Sequence, residues 1–276
     1  MGDIVLLKSV LLLMTLSCFV LLMACTDSDT NAEDEVFEVM TKMASIVGPG
    51  GTQEDHDYYL EHVTDNFNAS WGYPTVADCA ADIEGCIGDD PLDPPMRDTL
   101  KVNGDKATIT VTSSLQAPTG DSFKLVFDAT FVKQDGVWKG DTVTAGDDEI
   151  PSGVELVPLE LNEMVFSYDP TDSRITSGKF GFDVENKGNQ VHEVVLFQVK
   201  KEAPLMELME SGDPGALGFP MGVKLPILPG TDAKMSIPEL EPGRYALVCH
   251  LPDQSVPGGE GPPHFVLGMI SEFIVE

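Results

Sequence analysis

Four residues in the last third of the chain have side chains that suit a soft transition metal: His192, Cys249, His264 and Met269. A thiolate, two imidazoles and a thioether form the set of ligands that suits a copper electron-transfer site. In such a site the two imidazoles and the thiolate bind most strongly, and the thioether is a distant, weak ligand. The residue types therefore predict a copper site that exchanges single electrons.

The elements that carry these residues bring them together. Short alternating runs, separated by turn residues, predict strands at 159–168, 179–184, 191–199, 234–237, 244–250 and 269–275. This spacing favours an all-β sandwich or barrel of Greek-key type over residues 157–276. His192 begins one strand, and the other three residues belong to the last pair of strands and their connecting loop. In a sandwich those positions meet at one end.

This part of the chain resembles the cupredoxins, and in particular their plastocyanin-like bacterial members. The similarity rests on three segments: Asn186-Lys187-Gly188 leading to His192-Glu193, Pro242 to Cys249, and Pro263 to Met269. The resemblance implies that the four residues named above bind one type 1 copper per chain. It also implies one-electron transfer between Cu(I) and Cu(II). A cupredoxin fold that binds no copper is the alternative interpretation.

Two features depart from the plastocyanin pattern. The loop between Cys249 and His264 holds 14 residues and is rich in proline and glycine. Glu193 follows the first histidine, where plastocyanin-like proteins often have asparagine, so the hydrogen bonds that orient this loop should differ. Both departures leave the ligand set intact, and both prevent a prediction of the reduction potential.

The resemblance implies a shuttle that exchanges electrons with a redox partner protein such as a cytochrome or a copper oxidase. His264 and Phe265 are the predicted electron portal, because an apolar rim around one imidazole edge permits close and transient docking. A second interpretation is copper binding without electron transfer, as in a chaperone, a buffer or a sensor. Reversible redox cycling would distinguish the two.

His250, next to Cys249, raises the question of an enzyme. In multicopper oxidases and nitrite reductases, a histidine beside the copper cysteine passes electrons to a second copper centre. Strand alternation should point His250 away from Cys249. The chain has five histidines, two of which are already assigned to the copper site, so a trinuclear copper site cannot form within one chain. We therefore predict that the protein is not an enzyme.

The N-terminus predicts export. Lys8 precedes the apolar run 10–24, which is too short for a comfortable membrane span and fits a secretory signal over residues 1–24. The run ends in Leu22-Met23-Ala24-Cys25, which resembles a bacterial lipoprotein signal. Acylation of Cys25 would then anchor the protein to the extracytoplasmic face of a bacterial membrane. An uncleaved signal anchor is the alternative, and residues 25–34 are predicted to form an acidic tether.

The charge of the chain restricts its partners. There are 46 Asp and Glu residues against 16 Lys and Arg residues, which gives a net charge of -30. This excludes a nucleic-acid binder, because phosphate backbones are bound by clusters of Lys and Arg. Two interpretations remain for the acidic surface. It is either a solvated surface suited to high salt, or it steers a basic redox partner toward the protein.

Residues 35–145 predict a separate α+β domain. Helical spacing over 35–47, a capping box at Thr52 and Asp55, and a third short helix after Thr75 precede alternating strands. Helices followed by a curved antiparallel meander resemble the nuclear-transport-factor-2-like fold. We assign no chemistry to this domain, because the spacing of His56 and His62 predicts two separate surface residues. Besides electron transfer and copper binding alone, a third interpretation of the protein's function is that this domain binds a small apolar ligand.

The remaining cysteines and the linker complete the predicted organisation. A disulfide between Cys79 and Cys86 is plausible in an oxidising compartment, and two free thiols are the alternative. Seven residues along one helix would hold the two Cα atoms about 10.5 Å apart. A disulfide therefore requires the helix to end near Gly85. Residues 146–156 are the predicted linker between the α+β domain and the cupredoxin domain at 157–276.

Overall fold

The computed structural model describes residues 31–87, 92–116, 122–172, 175, 179–211, 217–218, 220–256 and 261–276. The predicted signal at 1–24, the acylated Cys25 and most of the tether at 25–34 lie outside these residues. No helix among the described residues is long and apolar enough to cross a membrane.

Five helices begin the described chain: α1 (31–44), α2 (Gln53–Glu61), α3 (Asp65–Ala69), α4 (Val76–Ala81) and α5 (Ile83–Ile87). The side chains of Thr52, Thr64 and Thr75 each accept a hydrogen bond from a backbone N–H in the first turn of α2, α3 and α4. These caps satisfy donors that have no partner inside the helix. Thr52 is thus confirmed as the N-cap of α2, but the Asp55 carboxylate accepts a hydrogen bond from the Thr52 hydroxyl at 2.7 Å, whereas a capping box uses the Thr52 backbone N–H.

Four antiparallel strands follow as a meander: β1 (Lys101–Asn103), β2 (Lys106–Gln116), β3 (Ser122–Gln134) and β4 (Val137–Ala145). Alternate residues of β3 (Leu125, Phe127, Ala129 and Phe131) are buried on one face of this first sheet. They form a core with the helices. Strand alternation predicted that shared face, because side chains two residues apart point to the same side of a sheet.

The described residues of the second half form eight strands and one helix: β5 (Leu156–Asn162), β6 (Val165–Ser167), β7 (Gly181–Asn186), β8 (His192–Gln198), α6 (Leu205–Glu210), β9 (Pro220–Ile227), β10 (Asp232–Ser236), β11 (Gly243–Val248) and β12 (Ile270–Val275). One sheet has the order β10-β7-β5-β6, and the other has the order β12-β11-β8-β9. Buried residues of both sheets share one core. The structure is therefore a β-sandwich, in which β5 and β7 run parallel.

Strand β9 lies between the predicted strands 191–199 and 234–237, where no strand was expected. Pro220, Gly222 and Pro226 hide its alternating pattern in the sequence. β9 is an edge strand of its sheet, and edge strands tolerate proline because one side of the strand donates no hydrogen bonds to a neighbour. Its burial nevertheless alternates from Gly222 to Pro226.

The predicted linker at 146–156 is fixed to the sandwich. Lys224 of β9 is 1% exposed, forms an ion pair with Asp148 and donates a hydrogen bond to the Gly146 carbonyl at 2.8 Å. The backbone N–H of Asp148 donates to the Lys234 carbonyl at 3.0 Å. Side chains on the other face of β9, those of Val223 and Leu225, pack against the first core. The division into two domains therefore remains a prediction.

Cys79 and Cys86 form a disulfide, with their Cα atoms 5.3 Å apart. The helix that carries Cys79 ends at Ala81, and a new helix begins at Ile83. The break at Asp82 lies three residues before the position we expected near Gly85. The Asp82 carboxylate accepts a hydrogen bond from the Tyr73 hydroxyl at 2.8 Å, which holds Asp82 where the helix ends.

The two helix histidines are half-buried rather than solvated. Nε2 of His56 lies 3.0 Å from the Gly48 carbonyl oxygen, and Nδ1 of His62 lies 2.8 Å from the Tyr58 carbonyl oxygen. The ring of His62 also stacks on the Tyr58 ring. Each histidine therefore has a local structural partner, which explains its burial without any chemistry.

Candidate metal centre

Three donor atoms meet inside the sandwich. Nδ1 of His192 lies 3.1 Å from Nδ1 of His264, and Sγ of Cys249 lies 3.3 Å from the same His264 nitrogen. All three residues are fully buried, and their ligand atoms lie within 4.8 Å of one another. One sulfur and two imidazole nitrogens at these distances could bind a single metal ion together.

Two neighbouring strands hold His192 and Cys249. His192 is the first residue of β8, and Cys249 directly follows β11, which pairs with β8 in antiparallel register. The backbone N–H of Glu193 donates a hydrogen bond to Cys249 Sγ at 3.4 Å. The sheet thus fixes the histidine and the thiol at one end of the sandwich, as the strand pattern predicted.

Backbone hydrogen bonds fold the segment after Cys249 back onto it. The N–H of Phe265 donates to the Cys249 carbonyl at 2.9 Å, and the N–H of Cys249 donates to the Met269 carbonyl at 3.2 Å. The N–H of Met269 donates in turn to the His264 carbonyl at 2.9 Å. Gly268 has a φ of 116°, a conformation that side chains rarely adopt. Met269 is fully buried in the sandwich core that also contains Cys249.

The turn before His192 is fixed by a buried asparagine. The Asn186 amide donates to the carbonyls of Gln190 and Ile227, both at 2.8 Å, and its oxygen accepts from the Gly188 N–H at 2.9 Å. A Cβ atom at Gly188 would lie 3.0 Å from His192 Nε2. The same Cβ would lie 2.9 Å from the backbone nitrogen of Glu163, so a side chain here would be crowded by both groups.

Two glutamines join this turn to the long loop between Cys249 and His264. Nε2 of His264 lies 3.2 Å from Gln190 Oε1, and the Gln254 N–H donates to the same oxygen at 2.7 Å. Gln254 Oε1 accepts in turn from the Val191 N–H at 2.8 Å. An amide oxygen opposite Nε2 places the His264 proton on Nε2, so Nδ1 keeps the lone pair that a metal requires.

Neither glutamine was expected to contact the site. Gln190 appears in the sequence as one polar residue of a turn, and Gln254 as one residue of a loop rich in proline and glycine. Only the position of Gln190, two residues before the first histidine, could have drawn attention to it. No spacing rule predicts its hydrogen bond to His264, which is 74 residues away.

Burial keeps the three donors uncharged in the absence of a cation. It raises the pKa of the Cys249 thiol, and the nearby Glu193 carboxylate adds to this effect, while the backbone N–H groups of Glu193 and Leu251 oppose it. Burial, together with the neighbouring His264, lowers the pKa of His192 to about 3. Burial also lowers the pKa of His264. Both imidazoles are therefore neutral at pH 7, as metal binding requires.

The donor set fits copper. A soft sulfur ligand and two imidazoles suit copper better than they suit hard cations, which prefer oxygen. When both Nδ1 atoms act as ligands, the proton of His192 lies on Nε2. That buried nitrogen has no hydrogen-bond partner among the described residues. The ring of His192 also lies edge-on to the ring of His264, with their centroids 4.9 Å apart.

His250 lies outside the cluster, as strand alternation predicted. Its backbone N–H donates to Glu193 Oε1 at 2.6 Å, and its Nδ1 lies 3.1 Å from the same oxygen. The imidazole ring contacts the rings of Phe197 and Phe265, and 39% of the side chain is exposed. Glu193, which departs from the plastocyanin pattern, is therefore the buried acceptor that fixes the residue after Cys249.

The electron portal at His264 and Phe265 stays a prediction, but the surface around it differs from the one expected. We expected an edge of the His264 imidazole at the surface, but His264 is fully buried, because its outer nitrogen is covered by Gln190. Phe265 is half-buried against the ring of His250. The exposed apolar side chains beside the site are instead those of Val266 and Leu267, which are 51% and 42% exposed.

The sequence matches no model of a known protein family and no curated protein. Among solved structures, reduced auracyanin from Roseiflexus castenholzii is 15% identical with a TM-score of 0.29, covering 46% of this chain and 99% of the auracyanin. Auracyanin B is 17% identical with a TM-score of 0.28, and the match covers 47% of this chain and 92% of auracyanin B. A multicopper oxidase from Pediococcus acidilactici is 12% identical with a TM-score of 0.25, and the match covers 54% of this chain and 35% of the oxidase. Similarity at this level does not assign the chain to a family.

Proposed function

We propose that this protein is a cupredoxin-like type 1 copper protein that transfers single electrons at the extracytoplasmic face of a bacterial membrane. The observation that supports this most directly is the convergence of Cys249 Sγ with the Nδ1 atoms of His192 and His264 in a buried site. Met269, buried in the same core, is the proposed weak fourth ligand.

Copper bound at this site would supply a couple between Cu(I) and Cu(II). The chain contributes a rigid arrangement, because two paired strands and a closed set of backbone hydrogen bonds hold the donors. Gln190 keeps Nδ1 of His264 free of its proton. Burial of the three donors excludes water from them, which limits rearrangement around the metal when its charge changes.

Visible and EPR spectra of the purified protein after addition of Cu(II) test this proposal, with Cys249→Ser as the comparison. A thiolate–copper site should give an intense absorption band toward the red end of the spectrum and a narrow hyperfine splitting. Both should disappear in Cys249→Ser, which lacks the sulfur. A colourless protein, or copper binding that the substitution leaves unchanged, would refute the proposed site.

Copper storage, delivery or sensing is a second candidate function. The observation that favours it is the complete burial of His264, which leaves no ligand ring at the surface for electron exchange. Voltammetry of the copper-loaded protein separates the two functions. A reversible couple supports the shuttle, whereas Cu(I) that resists oxidation supports storage.

Membrane attachment through Cys25 is the part of the proposal that rests on sequence alone, on the segment Leu22 to Cys25. It requires an acylated N-terminal cysteine in the mature protein. Mass spectrometry of the protein extracted from bacterial membranes should find this modification, and Cys25→Ala should release the protein from the membrane. Retention of the variant would favour an uncleaved signal anchor.

A further inference from the structure

A cavity of about 330 Å³ lies in the first half of the molecule, far in the chain from the proposed copper ligands. The first sheet, the helices and β9 contribute its walls. Five aromatic rings line it, those of Tyr59, Phe67, Trp71, Phe127 and Phe131. The remaining wall is formed by aliphatic, methionine, proline and alanine side chains and by Cys86.

Among the described residues, none that lines the wall has a charged side chain, although the chain as a whole has a net charge of -30. Its Tyr59 hydroxyl is directed toward Asn68 Oδ1, 3.5 Å away. A charged ligand group would lose its hydration in such a cavity without gaining a partner, and this is unfavourable. The cavity therefore selects against carboxylates and ammonium groups and favours neutral, largely apolar molecules.

The volume of the cavity sets the size of its occupant. Protein interiors rarely contain voids larger than a water molecule, and known ligand pockets begin at about 300 Å³. At about 330 Å³, this cavity lies at the lower end of the volumes of pockets that bind small molecules. This is too small for a helix or a peptide strand. We propose that the cavity binds a small, neutral apolar molecule.

Strand β9 links this ligand site to the sandwich. Val223 and Leu225 complete the cavity wall, and both belong to the strand that pairs with β8. In that pair Val223 lies opposite Val195, and Val195 is three residues after His192 in β8. A bound ligand would therefore contact both halves of the molecule at once.

Tryptophan fluorescence of the metal-free, full-length protein provides the test. The chain has two tryptophans, of which Trp71 lines the cavity and Trp138 does not, so Trp138→Phe leaves Trp71 as the only reporter. Titration with 1-octanol should change the Trp71 emission in a saturable way. Octylammonium chloride of the same chain length should not, even though the acidic protein attracts this cation.

Two outcomes would overturn the proposal. The first is the absence of a saturable change with 1-octanol, and the second is an equal response to octylammonium, which would indicate binding at the acidic surface. Either result leaves the copper proposal untouched, because no metal is present. The copper spectrum described above reports only on the metal site, and the tryptophan titration reports only on the cavity. The two proposals can therefore fail separately.

Substitutions locate the binding in the cavity. Ala44→Phe fills space from α1 and should weaken 1-octanol binding at least about tenfold, or about 1.4 kcal/mol. Ala77→Phe is the matched control, because Ala77 is an exposed helix residue outside the wall. Val223→Asp places a carboxylate in the wall from β9 and should weaken binding as strongly. Unchanged affinity in a folded Ala44→Phe or Val223→Asp protein contradicts the assignment.

Discussion

At the scale of single residues, the candidate copper site depends on groups that are not ligands. Nδ1 of His264 can bind a metal only while its proton lies on Nε2, and Gln190 provides the oxygen opposite that nitrogen. The same oxygen accepts the Gln254 N–H, so one amide orients both the ligand ring and the loop around it. Hydrogen-bond partners of metal ligands commonly influence affinity in this way.

We expect Gln190→Leu to lower the copper affinity about 10- to 100-fold, because it removes the acceptor that fixes the His264 tautomer. Gln190→Glu is the matched comparison, since it retains an oxygen at the same position and should bind copper more tightly than Gln190→Leu. Competition with a Cu(I) chelator measures the affinity of each protein. Equal affinities of wild type and Gln190→Leu would show that packing alone orients the ring.

The ligands of this site were predictable from sequence, but their environment was not. Residue type and the strand pattern together predicted that His192, Cys249 and His264 meet, because ends of paired strands converge in a sandwich. The burial of His264 depends on a hydrogen bond to Gln190 across the fold. Such contacts depend on how the loops pack, and no local periodicity in the sequence encodes that packing.

At the scale of secondary structure, β9 is the element that most changes the picture obtained from sequence. Strands with regular alternation, such as β3, were predicted well, because their buried face repeats every second residue. β9 was missed because its prolines and glycine resemble a loop, and an edge position permits them. The alternation of β9 places Lys224 on the Asp148 side and Val223 and Leu225 on the cavity side.

Asp148→Asn should destabilise the protein by about 3–5 kcal/mol, because it leaves the buried Lys224 cation without its charged partner. Chemical denaturation measures this change in the free energy of unfolding. Asp147→Asn is the matched control: its ion pair with Lys234 is about half exposed, and such pairs contribute at most about 1 kcal/mol. If both variants lose a similar free energy of unfolding, the ion pair with Asp148 does not stabilise the buried Lys224 cation.

At the scale of the whole molecule, a strongly acidic chain exposes a small apolar patch, Val266 and Leu267. Val266 and Leu267 are exposed beside the candidate metal site, in a chain with a net charge of -30. We propose that acidic side chains attract a basic redox partner and that this patch makes the close contact. Electron-transfer complexes commonly use small and weak interfaces of this kind.

Leu267→Gln should slow electron transfer to a basic cytochrome about fivefold, because the loss of one apolar contact weakens the encounter complex by about 1 kcal/mol. The substitution is uncharged, so the attraction between the two proteins stays the same. Ile274→Gln serves as the control, since Ile274 is 56% exposed and lies near the opposite end of β12. Stopped-flow rates that fall equally in both variants would exclude a specific role for Leu267.

The packing of β9 against the first core also limits where the chain can be cut or recombined. A cut between residues 146 and 156 would remove Val223 and Leu225 from the wall of the first core and expose both side chains to water. A gene fragment that encodes either half would thus produce a protein with an uncovered apolar surface, prone to aggregation. A recombinant in which one half is replaced by an unrelated sequence should therefore not fold, unless the contact between β9 and the first core is replaced as well.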